Sequence, residues 1–155
     1  MLENCQSARE RWGGVNDLID RWLQERQELL LLYYDIIQDS DQVEDELELR
    51  LGGQVQSLCQ VLVDYVSAGH FEIYDQLIKE GQEFDDKEGI KQGRALFKEI
   101  DKTTDFCLDF NDKYQVTDDL DDIVRDLSTL GEMLAHRFES EDKMIEVLHH
   151  AHAAA

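Results

Sequence analysis

Three polar residues interrupt the apolar stripes of three separate segments. Arg26 falls on the line of Val15, Ile19, Trp22, Leu30 and Tyr33, and Glu141 on the line of Leu134, Phe138, Ile145 and Leu148. His70 sits within LVDYVSAGHFEIYDQL, residues 62–77. At about 100° per residue, with Leu62 at zero, Val66, Ile73 and Leu77 fall near 40°, 20° and 60°, and His70 near 80°. A cation, an imidazole and a carboxylate in one interior could move protons, hold a metal or satisfy one another. Buried charges persist only when paired and hydrogen-bonded. We therefore expect Arg26, His70 and Glu141 to converge in a polar pocket, with Asp20 or Asp142 beside them. A satisfied core network, a pocket that shapes a docking surface, and a catalytic or metal site all remain open.

The catalytic and metal readings lack supporting spacing. Carboxylate-bridged di-metal bundles need Glu-x-x-His on two helices; HRFE (136–139) has the reverse order and occurs once. No Ser or Cys has a His at an evident supporting distance, and no glycine falls in GxGxxG or GxxxxGK[ST]. No catalytic residue, metal or cofactor is expected, and a metal role for His149, His150 and His152 is a minor alternative. Cys5, Cys59 and Cys107 are odd in number and without CxxC, which suits reduced thiols in the cytoplasm.

The opposite face of the His70 segment has another character. Asp64 and Phe71 fall near 180–200°, an aromatic among carboxylates pointing outward with Asp75. Asp20 and Arg21 lie off the apolar stripe beside Trp22. Aromatics with a charged rim suit a protein–protein contact.

Stepping outward, the elements that must carry these residues are helical. Proline is absent from the 155 residues, and apolar residues recur at three- and four-residue steps with no sustained period of two. A long helix is expected over residues 3–38, then the acidic connector DSDQVEDE (39–46), then a helix from Glu44 or Leu47 to Ser67. The pattern resumes after Gly69 as far as Ile78. KEGQEFDDKEG (79–89) reads as a Gly-punctuated loop. A further helix carries Leu96, Phe97, Ile100, Cys107, Leu108 and Tyr114. Thr117 reads as an N-cap, with Asp118 and Asp119 in the first turn, for a last helix that carries Leu120 through Leu148. The expected fold is all-α: one domain over residues 1–155, an antiparallel up-and-down bundle of about four long helices plus a short extra one. HHAHAAA, residues 149–155, should fray.

Charge restricts the partners. Thirty-six Asp and Glu against fifteen Lys and Arg give a net charge of −21. Such a surface repels phosphate backbones and anionic membranes and attracts basic proteins. The longest apolar run, Leu29 to Tyr34, is too short to span a bilayer.

LIDRWLQERQELLLLYYDI (18–36), LVDYVSAGHFEIYDQL (62–77) and RFESEDKMI (137–145) resemble the Rsd/AlgQ family of bacterial anti-sigma regulators. WGGVNDLIDRWLQER is closer to its AlgQ branch, known from pseudomonads. The resemblance implies binding to region 4 of the primary sigma factor, a basic helix-turn-helix that reads the promoter −35 element and docks on core polymerase. Covering it would block both contacts; in the AlgQ branch the output is altered alginate and siderophore gene expression. It further implies contacts at Leu18, Asp20, Arg21, Trp22, Arg26, Asp64, His70 and Phe71. The family is also linked to the sugar phosphotransferase phosphocarrier and to alarmone metabolism, so an adaptor for one of those proteins is the alternative, and a small metal-binding or catalytic bundle a third.

Overall fold

The computed structural model describes residues 2–40, 45–116 and 120–150, with side chains described over 16–38, 51–69, 71–115 and 120–150. Helix α1 spans Leu2–Ser40 and α2 spans Asp45–Ala68; a π turn, Gly69–Ile73, leads directly into α3, Tyr74–Glu83. Helix α4 spans Lys87–Val116, α5 spans Ile123–Ile145, and a second π turn, Glu146–His150, extends α5. The described residues contain no strand. The fold is the expected all-α antiparallel bundle, with neighbours in the order α1, α2, α4, α5 and α1 diagonal to α4.

Apolar residues at helical spacing close the core: Leu29, Tyr33 and Ile36 from α1, Leu58, Leu62 and Tyr65 from α2, Ile100 and Cys107 from α4, and Leu127, Leu130 and Leu134 from α5. Helices α1 and α5 close the ring through specific contacts. The Tyr33 hydroxyl donates to the Leu127 carbonyl at 2.8 Å. Its neighbour there is Gly131, where any Cβ would lie 2.2 Å from that hydroxyl.

The chain departs from the sequence reading in three places. Gly69 does not interrupt the helix: the backbone takes one wider turn instead. Glycine suits the packing there, since a Cβ would stand 3.0 Å from both the Trp22 ring and the Tyr74 hydroxyl, and both would have to shift. The loop expected over residues 79–89 shrinks to Phe84, Asp85 and Asp86. Asp85 supplies the left-handed residue (φ 52°), a conformation that Asp tolerates better than most residues. Gly81, meanwhile, lies inside α3, close enough to Leu148 that a Cβ would come within 2.9 Å. The third departure is the C-terminus. His149 and His150 belong to the second π turn, and His149 is buried, donating from Nδ1 to Glu80 at 2.8 Å while Nε2 meets the Asn16 side chain. The expected fraying therefore does not begin at 149. Thr117, Asp118, Asp119, residues 41–44 of the acidic connector, and His152 lie outside the described residues, and Leu120 precedes α5.

Candidate partner-binding face and the polar core behind it

Glu141 is the centre of the bundle's polar interior. Its carboxylate is fully buried and accepts from the Tyr65 hydroxyl at 2.7 Å and the Tyr74 hydroxyl at 2.6 Å. Two guanidinium groups flank it. Arg26 Nη2 stands 3.6 Å from Oε1, and Arg137 Nε stands 3.3 Å from Oε2. Arg26 also donates to the Tyr65 hydroxyl at 3.0 Å and to Asp142 at 2.7 Å, with its guanidinium carbon 4.6 Å from the Phe138 ring centroid. Arg137, wholly buried, donates to Thr104 at 2.8 Å, Thr103 at 3.1 Å and the Tyr74 hydroxyl at 3.0 Å.

This arrangement follows the rule that a buried charge needs both counter-charge and hydrogen bonds. Burial pushes the Glu141 carboxyl above its ordinary value, although Arg137, Tyr74, Tyr65 and Arg26 all pull the other way. Burial beside that carboxylate likewise holds the Tyr65 and Tyr74 hydroxyls well above the ordinary tyrosine range, so both remain donors. Desolvation alone would lower Arg26, but Tyr65, Asp142 and Glu141 leave it raised. Each polar group in this network is held by partners from other helices. The network is a brace joining α1, α2, α3, α4 and α5. Among the described residues no group of three or more His, Cys, Asp or Glu could hold a metal ion.

In front of the brace lies an acidic face. The carboxyl of Glu25 is raised by burial first, then by the charges of Asp64, Glu28 and Glu72, with Arg21 opposing. These four carboxylates from α1, α2 and the first π turn therefore share one field. Glu25 Oε2 is buried without a hydrogen-bond partner, while Glu28, Asp64 and Glu72 are exposed. Phe71, in the π turn beside Glu72, is 74% exposed. Asp64 also lines a groove of about 530 Å³ between α2 and α4, with Gln56, Gln60, Val63, Asn111 and Gln115.

Known proteins similar to this chain identify its family. The family described as Regulator of RNA polymerase sigma(70) subunit, Rsd/AlgQ, matches residues 1–149. This chain belongs to the Rsd/AlgQ family. It is 36% identical over 152 residues to the Regulator of sigma D of Enterobacter sp. (strain 638), covering 94% of this chain and 88% of that protein. It is 35% identical over 150 residues to the Regulator of sigma D of Yersinia pseudotuberculosis serotype O:1b (strain IP 31758), with the same coverage. As an Rsd/AlgQ protein, it is a regulator of the sigma(70) subunit of RNA polymerase.

The candidate residues of this Rsd/AlgQ chain divide by depth. Asp20, Arg21, Asp64 and Phe71 are exposed, and Leu18 is half-buried. Arg26 is largely buried, its side chain 13% exposed. Trp22 corrects the expectation of a surface contact. It is 2% exposed, stacked on Tyr65 with ring centroids 4.9 Å apart, and its indole N–H donates to the Tyr65 carbonyl at 3.1 Å. In the free chain the tryptophan supports the face from behind. Arg26, Glu141 and Asp142 are brought together, but Asp142 stands at the surface end of the group, its side chain 59% exposed, and is not part of the buried pocket; Asp20 is exposed, outside that group. His70 lies in the first π turn, with its side chain outside the described residues.

Sequence reasoning missed Arg137, Tyr65 and Tyr74. Arg137 had a signal: it precedes Glu141 by four residues, about 40° around the same helix face, the spacing at which opposite charges meet. The two tyrosines of LVDYVSAGHFEIYDQL carry a signal of their own, since a buried phenol needs a partner for its hydroxyl.

Proposed function

We propose that this regulator binds region 4 of the primary sigma factor with the face formed by α1, the end of α2 and the first π turn. Bound there, it would block the contacts of region 4 with the −35 element and with core polymerase. The observation that carries this reading is the carboxylate group of Glu25, Glu28, Asp64 and Glu72, offset in part by Arg21, with the exposed Phe71 next to Glu72 in the π turn. Glu25, whose ionisation is opposed by burial and by the charges of Asp64, Glu28 and Glu72, is relieved by a cationic surface, and the helix-turn-helix of region 4 is basic. The relatives named Regulator of sigma D support the same class of partner. Asp64 is the main ionic contact, Phe71 the apolar one, and Leu18, Asp20 and Arg21 extend the face along α1, with His70 in the same turn as Phe71. Arg26 holds α1 against α5 and so fixes the face. The action is stoichiometric, without turnover.

The test is competition. Light scattering after size exclusion should show one molecule of this protein with one of isolated region 4. The same mixture should release a labelled −35 duplex from region 4. A stable ternary complex with the duplex still bound would refute the blocking mechanism.

A further inference from the structure

Basic residues in this acidic chain are not spread evenly. Lys87, Lys91, Arg94, Lys98 and Lys102, five of its fifteen Lys and Arg, line one shallow groove of about 830 Å³ on α4. At about 100° per residue they fall within roughly 80° of arc, along about 22 Å of helix. Glu88 and Asp101 fall outside that arc, and Glu99, at the edge of the stripe, also lines the groove and pairs with Lys102.

Pairing sets the stripe apart. Among the described residues, six of the seven other cations sit in ion pairs: Arg26, Lys79, Lys113, Arg125, Arg137 and Lys143. On the stripe only Lys102 does, with Glu99 at 3.0 Å. Lys87, Lys91, Arg94 and Lys98 are exposed and make no ion pair among the described residues, although acids outnumber bases 36 to 15. Neighbouring like charges at three- and four-residue steps also destabilise a helix, and Lys87 and Lys91 oppose the dipole at its N-terminal end. Local rules broken together, without compensation inside the chain, point to a role outside it.

We propose that the α4 stripe docks an acidic, amphipathic helical segment of a partner protein. Its cations are spaced by three and four residues, about 4.5–6 Å, the same spacing at which a helix presents carboxylates along one face. Ile90 and Ala95 lie among the cations in the groove, with the lysine and arginine methylenes, and offer apolar contact. Nucleic acid fits less well. Duplex DNA would bring about 13 phosphate charges along 22 Å and extend past α4 over a surface whose net charge is −21. The acidic face meets α4 beside Asp64, at Asn111 and Gln115, which lie outside the stripe's arc and towards the opposite end of α4, so the stripe is separate from that face and both could be occupied together.

A fluorescein-labelled peptide of three LEEALEE repeats, titrated into the whole protein at 100 mM NaCl, tests this by anisotropy. The stripe variant Lys91→Glu/Lys98→Glu should weaken binding about tenfold. The equally charged control Lys79→Glu/Lys143→Glu should leave it within about twofold. Should the reversal fail to fold by circular dichroism, Lys91→Ala/Lys98→Ala should still show a smaller loss. The inference is overturned if the peptide does not bind or if both variants lose affinity equally. Tighter binding of a 20-residue oligothymidylate, or self-association that the stripe variant abolishes, would assign the stripe to nucleic acid or to a second copy and also overturn it.

Discussion

Replacing Glu141 by alanine removes the one carboxylate on which five helices converge, and its cost can be worked from the contacts. Two buried hydroxyls, on Tyr65 and Tyr74, lose their acceptor, and Arg137 loses the counter-charge 3.3 Å from its Nε. Breaking a buried pair by deleting one partner costs about 3–5 kcal/mol, because the remaining charge stays uncompensated. For a chain of this size each kcal/mol lowers Tm by roughly 2–4 °C, so a fall of about 6–20 °C is expected by differential scanning calorimetry. Glu141→Gln keeps the shape and one acceptor but loses the charge, and should cost about half as much. Asp142→Ala should change little, since that carboxylate is 59% exposed and Arg26 keeps Glu141 and Tyr65. Replacing the pair together, Arg137→Met with Glu141→Leu, should recover part of the loss, because no uncompensated charge remains. A Glu141→Ala protein melting within 2 °C of wild type would refute the brace.

Two further outcomes follow from the charges and thiols. Desolvation opposes ionisation of Asp126, but hydrogen bonds from Lys113 and Tyr114, together with Lys113 and Arg125 charge, hold its carboxyl below the ordinary 3.8. A depressed carboxyl contributes stability above its unfolded value and loses it as pH falls through the folded one. Asp126→Asn should therefore be less stable than wild type at pH 7, with the difference closing below about pH 3.8; Glu141, raised by burial, acts in the opposite sense but equally in both proteins. A urea-denaturation gap that is constant across pH would contradict this. Burial pushes the Cys59 and Cys107 thiols up to about 11, so in a Cys5→Ser background neither should react with Ellman's reagent at pH 8 faster than the protein unfolds.

The bundle was legible because its signal is periodic: apolar residues at three- and four-residue steps, no proline, no alternation. The inward direction of Arg26 and Glu141 could be read the same way, since both sit on stripes that have to be buried. Glycine misled. Gly69, Gly81 and Gly89 suggested a pause and a loop, whereas Gly69 and Gly81 lie within helical turns and leave room for Trp22, Tyr74 and Leu148; the turn that does form uses Asp85. Trp22 lies on the apolar stripe with Ile19 and Leu30, and that stripe buries it; its expected role as a contact came from the family resemblance. Arg137 escaped because one buried cation had already been paired with Glu141, and only coordinates show that the carboxylate serves two. The burial of His149 was equally hidden, since an alanine- and histidine-rich ending gives no hint of Glu80 waiting on α3.

The central claim is that a shared carboxylate field around Asp64 receives the basic region 4. Isothermal titration of region 4 into wild type and Asp64→Lys, at 50 and 300 mM NaCl, tests it most directly. The account predicts one-to-one binding that weakens as salt rises, a marked loss for Asp64→Lys at low salt, and a smaller difference between the two proteins at high salt. Equal affinities for wild type and Asp64→Lys, or binding indifferent to salt, would contradict it.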